Sequence, residues 1–561
     1  MLTWLRHYQR RDLPGDLLAG LIVAIMLVPQ GMAYALLAGL PPQVGLYASI
    51  LPLIIYGLLG SSRTLAVGPV AIVSLLVAAG LTPLAEPGSA HYLQLALILA
   101  LLAGLIQLAM GLARLGFLTN FLSHPVLSGF TTAAALVIGL SQLRHLLGVS
   151  IPASDSFAMT VWQTAVAVPQ ANWPTLLLGA GSLFVLFYFK NRLNGRLQQW
   201  GLPAAWRMPL TKSAPLLVVL LGAAAVGLGQ LDQTAGVRVV GQVPAGLPPL
   251  TWPGLELELW RVLLPTALAI SLVGYTESIS VAKALASRRR EKVEADQELI
   301  ALGAANLAAS FSGGYPVTGG ISRSMVNFSA GANSGLASIV TAVLIALTAV
   351  LFTPLFYYLP QAVLAAIILA AIAGLVDFST LPHIWKYNKA DALSWIVTFG
   401  AALLVNVETG ILVGVIASLV LFLWRASRPH VAEVGQLNGE TYRNVLRHQV
   451  KTYSHIIAIR IDESLYFANS RFVEDLVLRL VSERPQVAHF VLICSAVNFI
   501  DASALETLTA LIEQLESAGV HFYLTDVKGP VMDRLERVGF VDKIGRERIF
   551  LTIHEAMQTL A

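Results

Sequence analysis

A polar segment at residues 313–324 interrupts an apolar part of the chain and contains one arginine, Arg323. Hydrophobic runs lie on both sides, so we expect the segment at membrane depth. Backbone that leaves a helix there is tolerated only where protein or a water-filled cavity covers it. A charged residue at that depth is by default a candidate functional site, and helix N-termini attract anions. We therefore expect Arg323 and the helix that begins beside it to face an anion; the alternative is an arginine that reaches the membrane surface or is neutralised in a structural ion pair.

Three further polar side chains lie inside apolar segments. Glu277 is flanked by small hydroxyl residues, and an ionised carboxylate in a membrane is costly unless it is paired or protonated. Arg323 is its natural partner, and protonation of Glu277 would release Arg323 for substrate, so Glu277 is a candidate proton-coupling residue. A static ion pair is the alternative. Gln30 and Tyr34 share one helix face, where an amide and a phenol are suitable neutral ligands for an anion. For Tyr34, ordinary packing is the alternative.

The composition indicates a polytopic membrane protein. Hydrophobic residues make up 56% of the 561 residues and charged residues only 12%, against about 25% charged in soluble domains. The net charge of +4 does not indicate a nucleic-acid partner, because the basic residues are scattered among loops. A single cysteine excludes an intrachain disulfide. We expect no metal, no cofactor and no enzymatic chemistry.

Fourteen apolar segments are candidate membrane elements. A full span needs about 20 residues, so two short segments that follow Gly- and Pro-containing interruptions, 70–81 and 321–332, resemble half-helices. The other twelve segments are residues 17–37, 46–59, 92–112, 126–143, 175–189, 215–228, 262–284, 299–311, 336–356, 362–375, 392–407 and 411–424.

The two interruptions occupy corresponding places in two halves of the chain, about 16–231 and 259–428. Interrupted segments in matching positions predict an inverted repeat with the binding site between them; two ordinary kinked spans are the alternative. Loops rich in Lys and Arg alternate with loops that have none. The positive-inside rule therefore places both termini in the cytoplasm.

The composition changes near Arg428, which predicts a transmembrane domain over residues 1–430 and a soluble domain over 433–561. Strand and helix patterns alternate in the second part, as in an α/β domain. Asp501 is expected to cap a helix, and Ser503 is a candidate phosphorylation site. The predicted strands are 455–461, 490–495 and 521–525, and the predicted helices are 472–481, 503–517 and 531–538.

Several motifs identify a family. They are VPQGMAYA at 28–35, LLAGLPPQVGLY at 36–47, GSSR at 60–63 with GPVA at 68–71, a block at 294–302, and SRS at 322–324. Together they resemble the SulP family of sulfate permeases, which includes animal anion exchangers and prestin. The resemblance covers almost the whole chain.

The resemblance implies an inverted repeat of seven plus seven segments, divided into core and gate domains, with a cytoplasmic STAS domain and a homodimer. It implies a substrate site between the third and tenth segments. The family's ligand positions carry over to Gln30, Tyr34, Val70, Ser322, Arg323 and Glu277. From the paired interruptions themselves, we expect the substrate to contact the backbone at Val70 and Ala71 and from Ile321 to Arg323. Val70 stands where many animal members have Phe, which puts an aromatic wall in doubt. Ser503 aligns with the phosphorylated Ser of anti-sigma-factor antagonists.

We therefore expect a secondary active transporter that takes up sulfate with protons. An exchanger of bicarbonate, chloride or dicarboxylate is the alternative, because helix N-termini and one Arg suit a tetrahedral dianion and a planar monoanion alike. A membrane-anchored STAS sensor or scaffold is a third interpretation, and such a protein would need no broken helices. The expected partners are a small inorganic anion, protons, the lipid bilayer, a second copy and a cytoplasmic protein that binds the STAS domain. The expected location is the plasma membrane, or the inner membrane of a bacterium.

Overall fold

Each of the fourteen predicted apolar segments contains helix in the structure, a computed structural model that describes Trp4 and residues 8–117, 123–152, 156–254 and 256–561. Seven helices in these residues are long and apolar enough to cross a membrane by length and composition, and four shorter apolar helices accompany them. The chain divides into two units, Met1–Ser418 and Leu419–Ala561.

The first half of the membrane part contains the first seven predicted segments. The helix Trp173–Tyr188 continues through a π-helical turn, Phe189–Leu193, into the helix Asn194–Gln199. The elements are α1 Leu13–Leu37, α2 Pro42–Tyr47, α3 Leu51–Leu59, β1 Val67–Gly68, α4 Ala71–Leu81, α5 Ala90–Leu112, α6 His124–Leu147, α7 Phe157–Ala167, α8 Trp173–Tyr188, α9 Asn194–Gln199, α10 Ala204–Lys212, α11 Ala214–Gly229 and α12 Leu231–Thr234.

The second half contains the other seven segments. The predicted segment at 336–356 ends early, because the helix stops at Leu351 and a 3-10 turn, Thr353–Phe356, follows. The elements are α13 Leu257–Arg289, α14 Ala295–Phe311, β2 Thr318–Gly319, α15 Ile321–Ser329, α16 Leu336–Leu351, α17 Gln361–Ile372, α18 Thr380–Tyr387, α19 Lys389–Leu404 and α20 Val407–Ala426.

Local chemistry sets where several of these helices begin. The side chains of Ser89, Asn172 and Asn388 accept hydrogen bonds from backbone amides in the first turns of α5, α8 and α19. Such caps satisfy amides that have no partner within the helix and stabilise it by about 1 kcal/mol each.

The two halves meet through their interrupted segments. In each half a two-residue strand precedes a short helix, and β1 pairs with β2 in antiparallel orientation, Val67 opposite Gly319 and Gly68 opposite Thr318. Antiparallel pairing of equivalent strands is what two inverted copies require, and a kinked but continuous span would contain no such strand. The predicted inverted repeat of seven plus seven segments is confirmed.

The second unit contains a six-stranded mixed sheet in the order β4-β3-β5-β6-β7-β8. Strands β5 to β8 are parallel, whereas β3 pairs antiparallel with both β4 and β5. The elements are β3 Val431–Asn438, β4 Thr441–Asn444, β5 Ile456–Ile461, α21 Ser470–Ser482, β6 His489–Ile493, α22 Ala502–Ser517, β7 His521–Thr525, α23 Gly529–Arg537, α24 Phe540–Ile544, β8 Ile549–Phe550 and α25 Ile553–Leu560.

Alternate residues of this sheet build two apolar layers. Phe490 and Leu492 belong to the larger layer, whereas Val491 and Ile493 belong to a layer that includes Met557 of α25. All three predicted strands and all three predicted helices are present, but β3, β4 and β8 were not predicted. The proposed domain start at residue 433 falls inside β3.

Candidate functional site

A cavity of about 370 Å³ lies among the membrane helices and is lined by all eight residues that the sequence assigned to a membrane site. The eight residues come from segments far apart in the chain. They are Gln30, Tyr34, Val70, Ala71, Glu277, Ile321, Ser322 and Arg323.

The cavity has two walls of different character. Helices α1, α4, α13 and α15 form one wall, which, with Val70 just before α4, supplies all eight of those residues. Helices α8 and α11, with the end of α10 and the region of α17, form the other wall. This second wall is mainly apolar, with Ile367 and Ile372 among its residues, but it also presents Lys190, Thr211 and Lys212. Lys190 is exposed and marks the mouth of the cavity.

The starts of the two short helices are open to the cavity. Val70 and Gly320 precede α4 and α15 with extended backbone, and no side chain caps either helix. Within the described residues, the first three backbone amides of each helix have no hydrogen-bond partner. Two helix N-termini with free amides and aligned dipoles favour a negative charge between them.

The guanidinium of Arg323 lies against these helix starts. Only 2% of Arg323 is exposed, and its Nη1 donates a 2.5 Å hydrogen bond to the carbonyl of Pro69. Its Nε and Nη2 are buried without a partner. A Cβ added at Gly320 would lie 3.0 Å from Nη2, and one added at Gly68 would lie 3.4 Å from it. Glycine at 320 therefore makes room for the guanidinium, whereas the distance at Gly68 is an ordinary contact and the φ of +148° is what favours glycine there.

Gln30 and Tyr34 come from α1 and lie on the same wall. Only 7% of Gln30 and 6% of Tyr34 are exposed. Neither side chain makes a hydrogen bond to any other residue that the structure describes. An amide and a phenol that line a cavity without protein partners are free to contact a ligand.

The expected ion pair between Glu277 and Arg323 is absent from the structure. No ion pair within 4 Å joins the two among the described residues, and Oε2 of Glu277 is buried without a hydrogen-bond partner. Arg323 instead turns toward Pro69 on the other repeat. The carboxylate and the guanidinium thus line the same cavity, and neither neutralises the other by direct contact.

Hydrogen bonds between the repeats hold the helix starts in place. The fourth residue of each short helix is a serine that binds the interrupted segment of the opposite half. Ser74 bonds to the hydroxyl of Tyr315 at 2.9 Å, and Ser324 accepts from the amide of Ala66 at 2.9 Å. Within the second half, Ser278, next to Glu277, accepts from the amide of Gly319 at 2.8 Å. These bonds fix the orientation of both helix starts.

Helix α14 anchors both interrupted segments through buried polar side chains that the sequence reading missed. Glu298 is fully buried and accepts hydrogen bonds from Tyr56 and from the backbone amides of Ser61 and Ser62. Asn306 accepts from the amide of Val317 at 2.7 Å. The available signal was Glu298 itself, a carboxylate directly before the apolar segment 299–311 and within the 294–302 block.

Lys190 and Lys212 were also missed as cavity residues. They were counted among the basic loop residues that set orientation, and nothing in their spacing separates a loop lysine from one that lines a cavity.

Ser503 lies in the second unit, in the first turn of α22, where it is exposed. The predicted cap is confirmed, because the Asp501 carboxylate accepts from the amide of Ala504 at 2.8 Å. The buried Cys494 is suited to a structural role, since burial raises the pKa of its thiol to about 12. Phosphorylation of Ser503 stays a prediction.

Comparison with known proteins gives two family matches. The model of the sulfate permease family matches residues 13–398, and that of the STAS domain matches residues 447–556. Probable sulfate transporter 4.2 of Arabidopsis thaliana is 38% identical over 568 residues, which cover 99% of this chain and 82% of the relative. Probable sulfate transporter MT1781 of Mycobacterium tuberculosis (strain CDC 1551 / Oshkosh) is 36% identical over 556 residues, which cover 99% of this chain and 96% of the relative.

Solved structures of similar fold include the murine Slc26a9 anion transporter in the inward-facing state. It is 27% identical, with a TM-score of 0.91 over 100% of this chain and 93% of that one. The transmembrane domain of the cyanobacterial bicarbonate transporter BicA matches with a TM-score of 0.59 at 22% identity, covering 73% of this chain and 98% of that domain. At that identity the second likeness concerns the fold alone.

Proposed function

This chain belongs to the sulfate permease family, and we propose that it is a secondary active transporter that takes up sulfate together with protons. The proposal depends most on Arg323, a buried cation with two unpartnered N–H groups beside two uncapped helix starts. A permanent charge buried without a carboxylate partner is costly. A bound anion would supply the missing partner.

The number and placement of the donors favour a divalent oxyanion. The Nε and Nη2 groups of a guanidinium match two oxygens of one oxyanion, and the amides of α4 and α15 approach from opposite repeats. Gln30, Tyr34 and Ser322 add neutral donors. The relatives named sulfate transporters support sulfate as that anion.

Glu277 is proposed to accept the coupled proton. An ionised Glu277 in the same cavity repels an incoming dianion, and this repulsion is strong where water is scarce. A proton on the carboxylate removes the repulsion. Binding of sulfate and of a proton would therefore favour each other, although Arg323 and Glu277 do not touch.

Seven described helices long and apolar enough to cross a membrane support a site at membrane depth. We propose that the mouth beside Lys190 faces the cytoplasm, because basic loops lie on that side by the positive-inside rule. Location in the plasma membrane, assembly as a homodimer, domain boundaries at 1–430 and 433–561, and a partner for the STAS domain belong to the same proposal.

Uptake into proteoliposomes tests this function. Labelled sulfate, bicarbonate and fumarate are supplied separately, with and without an inward proton gradient. We expect sulfate to accumulate only when the outside is more acidic. Uptake that depends on a counter-anion inside, and is indifferent to the proton gradient, would establish an exchanger instead. Failure to move any of the three anions would favour the sensor or scaffold reading.

A further inference from the structure

A second cavity, of about 360 Å³, adjoins the first. Lys190, Thr211 and Lys212 line both cavities, so a ligand could pass from one to the other along these three side chains. Asn194 and Arg207 line only the second. All five residues belong to the basic stretch between α8 and α11, and none of them is among the eight residues of the site described above.

The second cavity holds three cations and no carboxylate. Lys190, Arg207 and Lys212 make no ion pair with any residue in the described ranges, and Nε of Arg207 is buried without a hydrogen-bond partner. Burial, together with the charge of Lys190, lowers the pKa of the Lys212 ammonium. Holding these cations side by side is unfavourable, and an anion between them would relieve the repulsion.

The donors in this cavity suit a tetrahedral oxyanion. A guanidinium offers paired N–H groups, and each lysine adds a compact charge. The amide of Asn194 and the hydroxyl of Thr211 supply neutral hydrogen bonds. The cavity is nearly as large as the first. An anion that kept part of its hydration shell would therefore fit.

We propose that this cavity is a second anion site, which binds a partly hydrated divalent oxyanion and delivers it to Arg323. Identification of the anion as sulfate rests on the proposed function, whereas the existence of the site does not. Clefts lined by one sign of charge raise local anion concentration and association rate, and salt weakens the effect. The second site would thus accelerate uptake at low sulfate and leave the site at Arg323 intact.

The test is equilibrium binding of labelled sulfate to the purified full-length protein in phosphatidylcholine nanodiscs. We expect two sulfates per chain, of unequal affinity. Arg207→Gln should weaken one of them by roughly ten- to a hundredfold, the loss expected for one charge-assisted contact. Asn194→Asp, which places a carboxylate in the cavity, should do the same. In transport, both variants should raise KM with little change in kcat and reduce the dependence of uptake on salt.

Arg196→Gln is the matched control. Arg196 lies in the same basic stretch, but its guanidinium stacks on the ring of Tyr188 at 5.4 Å and lines neither cavity. The Arg196→Gln variant should bind two sulfates per chain, like the parent protein. Equal stoichiometry and affinity in Arg207→Gln, Asn194→Asp and the parent would overturn the proposal.

Two further measurements distinguish failure of the second site from failure of the proposed sulfate transport. Arg323→Ala should retain one sulfate per chain, at the second site, even if transport of sulfate proves not to be the function. A phosphoryl headgroup of a lipid offers the same tetrahedral chemistry, so binding is repeated with phosphatidylglycerol in the nanodiscs. If sulfate binds only once in phosphatidylcholine, and phosphatidylglycerol alone protects Arg207 from arginine-directed labelling, the cavity is a lipid site and delivery of free anion is refuted.

Discussion

Arg323→Ala is the substitution that bears most directly on the proposed site. It removes a guanidinium that the structure holds by a single hydrogen bond, from Nη1 to the carbonyl of Pro69. The other two nitrogens have no protein partner and lie beside the starts of α4 and α15. If a substrate anion is their partner, the loss on binding should far exceed the loss on folding.

The expected size of the effect follows from those two nitrogens. A hydrogen bond to a charged group contributes about 1.5–3 kcal/mol, so two of them contribute about 3–6 kcal/mol. That range corresponds to roughly a hundredfold to ten-thousandfold weaker sulfate binding at the Arg323 site. Arg323→Lys should restore only part of this, because an ammonium keeps the charge but loses the paired geometry.

The assay is labelled-sulfate binding and uptake, read beside thermal unfolding in detergent. Arg289→Ala is the matched control, because Arg289 donates from Nη1 to the carbonyl of Ala332 and from Nη2 to that of Phe328, and lines neither cavity. We expect the control to lower thermal stability while sulfate affinity stays within a few-fold of the parent. If Arg323→Ala unfolds at a much lower temperature but binds sulfate normally at both sites, Arg323 is structural and the site has been misassigned.

Three other outcomes follow from the structure. Glu277→Gln should exchange sulfate across a membrane but fail to concentrate it when the outside is acidified; accumulation by that variant would remove Glu277 from the coupling. Glu298→Gln should lower the thermal transition by several degrees, since it removes a carboxylate that accepts buried hydrogen bonds; an unchanged transition would contradict its anchoring role. In the isolated second unit, burial and the nearby His521 and His455 lower the pKa of His489. The unfolded chain then binds that proton more readily, so stability should fall as pH drops through about 6.5. Urea unfolding should show this dependence weakened in His489→Phe, and an identical pH profile in both proteins would refute the assignment.

The membrane helices were predictable because a bilayer permits few backbone conformations. Backbone polar groups must be satisfied within each segment, so a long apolar run becomes a helix. The exceptions were informative for the same reason, since the interruptions at 60–70 and 313–324 could not be plain spans. The interruptions therefore located the candidate site, polar residues inside apolar segments identified Gln30, Tyr34, Glu277 and Arg323, and the family motifs added Val70 and Ser322.

The second unit shows where sequence patterns fail. Strands β5, β6 and β7 are buried and apolar, and all three were predicted. Strand β3 was missed because a charged residue, Glu433, interrupts its apolar pattern. In the structure Glu433 pairs with Arg484 at 2.6 Å, a contact between residues 51 positions apart. No local pattern encodes that pairing.

Side-chain direction inside the site was the other limit. The expected Arg323–Glu277 pair was predicted from charge and membrane depth. These fix neither the direction of the guanidinium nor its distance from the carboxylate. The Pro69 carbonyl that binds Arg323 is 254 positions away, on the other repeat. The antiparallel pairing of β1 with β2, together with the hydrogen bond from the amide of Ala66 to Ser324, brings the two together.

The pattern of hydrogen bonds separates the parts that should move from those that should not. Glu298 and Asn306 tie both interrupted segments to α14, and Ser74 and Ser324 tie each short helix to the opposite segment. Among the described residues no hydrogen bond joins the polar wall to the wall that carries Lys190. The polar wall should therefore shift as one body, with Arg323 and both helix starts keeping their geometry in every state. The lysines at the mouth lie on the other wall, so alternating access would change their distance from the anion without altering how Arg323 holds it.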